Sequence, residues 1–130
     1  MPHDRRQARI LAMQALCQWD VQHDHSDAAL FDCLVDLDAS PQAATHAMRL
    51  VRAYWNDAKS VDERIACAAE HWEFDRISAV DRNAMRVAVV ELLLGTTPPA
   101  VVLDEAIEIT REFGGEESPR FVNGVLNSVW

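Results

Sequence analysis

Material for strands is scarce in this 130-residue chain, which holds four glycines, one tyrosine and four phenylalanines. Turns between strands lean on glycine and strand faces on aromatic residues, so a largely β fold is disfavoured, while abundant alanine, leucine and arginine favour helices. No apolar run approaches the ~20 residues of a membrane span. The arginines and aspartate of residues 1–20 break up the apolar centre that a signal peptide requires, which leaves a cytoplasmic protein as the expectation. Cys17, Cys33 and Cys67 are odd in number, widely spaced and without a CxxC, a pattern that argues against disulfides and zinc knuckles and for buried, reduced thiols. Gly95, Gly114, Gly115 and Gly124 form no GxGxxG or Walker loop, and GxSxG and HExxH are absent. The His23, Asp24, His25 group lacks metal-ligand spacing. No catalytic residue, metal site or cofactor is expected.

Positive charge is also short. The net charge of −9 excludes binding of nucleic acid through a broad basic surface, because neutralising phosphates takes clustered Lys and Arg. It leaves room for a small patch: Arg5, Arg6 and Arg9 make the first ten residues basic, whereas residues 104–117 carry six acids against Arg111 alone. At 100° per residue the three arginines fall within a wedge of about 100° on one helix side. On periodicity alone that wedge reads more readily as a solvated helix end than as a phosphate patch.

The length suits a single domain over residues 1–130. A first helix is predicted from Asp4 to about Gln22 and a short one over Asp27–Leu37. Ser40-Pro41 opens the next, which runs to residues 56–59 with Met48, Leu50, Val51, Tyr54 and Trp55 inward. The capping box Ser60-Val61-Asp62-Glu63 predicts another start, carrying Ile65, Ala68, Ala69 and Trp72. From Ser78 or Asp81 to Leu94 the sequence is apolar on nearly every side, which marks the buried centre, and Gly95 stops it. Beyond Pro98-Pro99, Val102, Leu103, Ala106, Ile109 and Phe113 face inward. Gly114 is predicted in the left-handed conformation, with Ser118 capping a last helix on which Pro119 is the first residue. In that helix Gly124 costs roughly 1 kcal/mol against alanine, which predicts close packing over it.

The C-terminal run Gly114-Gly115-Glu116-Glu117-Ser118-Pro119-Arg120-Phe121-Val122-Asn123-Gly124-Val125-Leu126 resembles the signature of the NusB family of bacterial antitermination factors. Val80-Asp81-Arg82-Asn83-Ala84-Met85-Arg86-Val87-Ala88 is similar to the family's central helix, and Arg5-Arg6-Gln7-Ala8-Arg9 to the start of its first. Residues 24–75 carry no alignable motif. The resemblance implies an all-α bundle of six to seven helices in two packed sub-bundles. It further implies binding of boxA-type single-stranded RNA with the ribosomal protein NusE, within the transcription elongation complex. Carried over residue by residue, Arg5, Arg6, Arg9, Glu117, Arg120 and Phe121 are expected to bind RNA, and Asp81 to face the partner. Without the resemblance, Phe121 reads equally as a core anchor and Asp81 as an acid at a helix start. Gln7 and Cys17 depart from the family pattern, which more often has a basic and an aromatic residue there. An interaction module without RNA, or a fragment of a ribosomal RNA cytosine methyltransferase, are the rival readings. A homodimer stays open.

Overall fold

The structure is a computed structural model that describes residues 2–22, 30, 32 and 39–129. Its helices are α1 (Pro2–Gln22), α2 (Pro41–Asn56), α3 (Ala58–Ala68), α4 (Ala79–Leu94), α5 (Pro99–Phe113) and α6 (Ser118–Val129), with a 3₁₀ turn at Phe74–Arg76 and no strand among the described residues. The predicted helix over 27–37 lies outside them, apart from Leu30 and Asp32.

Helix starts follow their local chemistry. Ser40 accepts a hydrogen bond from the Ala43 amide at 3.2 Å, and Pro41 follows as the first helical residue of α2. Ser78 caps α4 through the Asp81 amide at 3.4 Å, and Gly95 ends it in the left-handed region at φ 69°. The capping box at Ser60 is overridden. After the single break at Asp57, α3 is already helical from Ala58, and Asp62 turns inward to Arg86 instead of serving a helix start. Helix α3 also ends at Ala68, so Trp72 lies on the turn beyond it and not on its apolar face.

Helix α4 is the buried centre, with every residue from Asn83 to Glu91 buried. It touches α1, α2, α3, α5 and α6; α1 packs on α2 to one side, while α6 packs on α5 and α3 to the other. Being encircled, α4 buries polar residues too, and each needs a partner because an uncompensated buried charge is costly. The Arg86 guanidinium meets Asp62 at 2.9 and 3.1 Å, Asp20 at 2.8 Å and Asn83 at 2.9 Å. It stands 4.9 Å from the Tyr54 ring centre and 5.2 Å from that of Phe74, close enough for cation–π attraction. Arg82 and Asn83 add bonds to Asp20 at 2.9 and 2.8 Å. Burial alone would raise the Asp20 pKa; the bonds from Asn83, Arg86 and Arg82 reverse this and hold it below the ordinary value.

Two glycines differ from expectation. Gly114 is extended, not left-handed, and a β-carbon there would sit 2.6 Å from Ser118 Oγ and 2.8 Å from the Thr110 carbonyl oxygen, so close approach is what requires glycine. The Ser118 hydroxyl reaches back to the Gly115 amide at 2.9 Å as the first residue of α6. Over Gly124 nothing among the described residues lies within 4 Å of an added β-carbon, so the predicted close packing is not found there. Phe113, expected inward, is 37% exposed as the last residue of α5.

Candidate nucleic-acid interface

The candidate residues gather at the two ends of α4. Helix α1 runs antiparallel to α4, since Arg9 pairs with Glu91 near its C-terminus while Asp20 pairs with Arg82 near its N-terminus. Asp81 and Glu91 are ten positions apart, which puts about 15 Å between the two ends.

At the C-terminal end, the arginine wedge separates. Arg9 is 5% exposed and grips Glu91 at 2.5 and 3.0 Å, with Thr97 Oγ1 donating to the same carboxylate at 3.3 Å. It is a buried ion pair, and the expectation that three arginines share one exposed face is corrected: Arg9 turns into the core because Glu91 is there. Arg6 is exposed but forked onto Glu105 at 2.9 and 3.1 Å, and that bond holds its pKa above the ordinary value. Arg5 alone of the three is exposed with no ion pair among the described residues. A recess of about 390 Å³ lies between Arg5 and the Thr96-Thr97-Pro98 loop. Half-buried His46 on α2 has its pKa lowered by burial and by Arg5, and its Nε2 has no hydrogen-bond partner among the described residues.

At the N-terminal end, Asp81, Glu117 and Phe121 line one recess of about 500 Å³, joined there by Trp72 and Arg76. Phe121 is half-buried and meets the Trp72 ring edge-to-face, with centres 5.4 Å apart and planes at 67°. It therefore packs on the core and faces the recess at once. Glu117 is exposed; Arg120 is exposed and unpaired among the described residues, beside the recess on the first turn of α6. Asp81 is 7% exposed, and its Oδ1 has no hydrogen-bond partner among the described residues. Cys17 lies near the start of α4, half-buried, donating toward the Ala79 carbonyl at 3.5 Å, and burial raises its thiol pKa. Cys67 is exposed, contrary to expectation, and Cys33 lies outside the described residues.

Trp72 was missed as a lining residue of this recess because period-3.6 counting continued α3 four residues too far. Its position in Glu70-His71-Trp72-Glu73, with charged or polar neighbours on both sides, was the available signal. No group of three or more His, Cys, Asp or Glu residues positioned to hold a metal occurs among the described residues, and no helix there is long and apolar enough to cross a membrane.

The architecture defines an all-helical domain whose two helix groups share one buried central helix. The chain belongs to the NusB family, which it matches over residues 6–130. It is 43% identical to the transcription antitermination protein NusB of Solibacter usitatus over 96% of this chain and 87% of that protein. For the NusB of Anaeromyxobacter dehalogenans strain 2CP-1 the identity is 40%, covering 99% and 92%. Among solved structures, T. maritima NusB superposes with a TM-score of 0.85 at 35% identity, covering 96% of this chain and 89% of that one. A chain from the crystal structure of antitermination factors NusB and NusE in complex with dsRNA gives 0.86 at 27%, covering 99% and 97%.

Proposed function

We propose that this chain is a transcription antitermination factor that binds boxA-type RNA of ribosomal RNA transcripts together with NusE, as one RNA-binding domain spanning residues 1–130. Support comes from the relatives named for antitermination and from the likeness to a NusB–NusE–RNA complex. The observation that carries the reading is the recess at the start of α4, where Asp81 meets Glu117 and Phe121 from the far end of the sequence, beside the paired rings of Phe121 and Trp72. Unpaired bases stack on such rings and hydrogen-bond through their edges. Arg5 and Arg120 supply phosphate contacts, Arg6 joins them once released from Glu105, and Arg9 acts by anchoring α1 beneath Arg5. Asp81 is assigned to the surface where RNA and NusE meet. No reaction is performed, and the place of action is the cytoplasm, where transcripts emerge.

Function is then a coupled equilibrium: NusE raises RNA affinity, and RNA raises NusE affinity by the same factor. The test measures binding of a short boxA RNA and a scrambled control at two salt concentrations, with and without NusE. Preference for boxA that grows with NusE and weakens with salt is the expected result; equal or absent binding of both RNAs, with NusE still bound, overturns it in favour of a protein-interaction module.

A further inference from the structure

One wall of the recess at the start of α4, formed by Trp72, Arg76, Ile77 and Ser78, belongs to the turn between α3 and α4 and not to an α-helix. The backbone bonds within that turn are local: the Trp72 amide donates to the Ala69 carbonyl, Arg76 to Glu73 and Ile77 to Phe74, at 2.9 to 3.2 Å. Trp72, Glu73, Asp75 and Arg76 are exposed, and a segment held by a few solvent-exposed bonds opens easily unless something ties it down. Phe74 and Ile77 pack toward the core, and Arg82 adds a charged tie. Its Nη1 donates to the Ile77 carbonyl at 2.6 Å, its Nη2 donates to Asp20 at 2.9 Å, and the guanidinium carbon stands 5.9 Å from the Phe74 ring centre. Asp20, near the end of α1, is itself fixed by Asn83 and Arg86, both at 2.8 Å, so the fork rests on a firm base.

We infer that Arg82, seated on Asp20, is a positioning residue for RNA binding, which fixes the Trp72–Ser78 wall of the recess without touching RNA. This rests on the proposed RNA-binding function and adds a residue that serves it from below the surface. Arg82 does not line the recess, and its side chain is 14% exposed. Its task needs a guanidinium: one planar group reaches the Ile77 carbonyl and the Asp20 carboxylate in two fixed directions, which a single ammonium does not. A wall ordered beforehand need not be ordered when RNA arrives, whereas a loosened one takes that entropy out of the affinity. The same geometry separates positioning from folding. Without Arg82, Asp20 keeps its donors Asn83 and Arg86, so the turn loosens and no charge is stranded in the core.

Binding of a short boxA RNA with NusE present, measured over a range of salt for the unmodified chain, Arg82→Met and Arg82→Lys, tests this beside amide hydrogen exchange. Arg82→Met lowers affinity roughly tenfold. The slope of log affinity against log salt stays as it was, because no phosphate contact is lost. The Arg76 and Ile77 amides exchange faster, while those from Asn83 to Glu91 keep their protection. Arg82→Lys keeps the charge without the fork and falls short of the unmodified chain in the same two readouts; it carries the test if Arg82→Met does not fold. A salt slope reduced by about one would make Arg82 a phosphate contact, and full affinity in Arg82→Lys would make its charge the operative property. Either result overturns the inference, as does unchanged affinity or unchanged exchange in Arg82→Met. Each of these leaves the antitermination reading intact. Failure of the unmodified chain to bind RNA overturns that reading and this one together.

Discussion

The two ends of α4 carry similar chemical inventories and use them in opposite ways. At the C-terminal end nearly every charge is matched: Arg9 by Glu91, Arg6 by Glu105. At the N-terminal end the anchoring charges, Arg82 and Arg86, are matched below the surface by Asp20 and Asp62, while the groups lining the recess keep an orphan oxygen and an open indole. A cluster of arginines in sequence is thus mostly paired within the chain, whereas a loose set of Asp, Glu, Trp and Phe keeps its binding capacity open. What separates them is unmatched hydrogen-bonding and stacking capacity, not charge.

The sharpest way to break this comparison is Arg9→Met. If Arg9 is scaffold, the change strands Glu91, 2% exposed, and lowers unfolding free energy by about 3–5 kcal/mol in denaturant titrations. Arg5→Ala leaves stability unchanged. Equal effects would erase the distinction between the arginines.

Acid probes the other end. The folded Asp20 pKa lies below its free value of 3.8, so the fold favours the carboxylate. Its contribution is complete above that value and is lost as pH falls through the folded one. Urea midpoints should therefore drop below about pH 4, with a shallower drop in Asp20→Asn.

Smaller effects sharpen the division at the surface. Arg5→Ala should reduce the slope of log affinity for RNA against log salt by about one. Smallest of all, Glu105→Gln, by releasing Arg6, should raise RNA affinity slightly at low salt and leave the melting temperature where it is. Lower affinity in that variant would mean that the Arg6–Glu105 pair itself forms the contact surface.

Much of the helix order was legible because caps and prolines act locally: Ser40-Pro41, Ser78 and Gly95 each do what their chemistry dictates. The misreadings arise where tertiary partners outbid local preference. Ser60-Val61-Asp62-Glu63 looked like a helix start, yet the helix is already running there and Arg86 and the Tyr54 hydroxyl claim Asp62, the latter donating at 2.9 Å. Helical phase placed Arg9 beside Arg5 and Arg6, and could not foresee a glutamate 82 residues away. The family pattern singled out Asp81, Glu117 and Phe121 as candidates, but their common recess and its Trp72 wall depend on how α6 meets the turn after α3.

Helix α4 also sets how the chain folds. Every other described helix touches it, and its own surface from Asn83 to Glu91 is buried, so neither group of helices can complete its interior before α4 is in place. Assembly should therefore be all-or-none, with α4 amides among the last to exchange hydrogen. The two ends, held on one rod that frays only when the whole molecule does, keep a constant spacing, and a strand of RNA reaching both would meet a ruler.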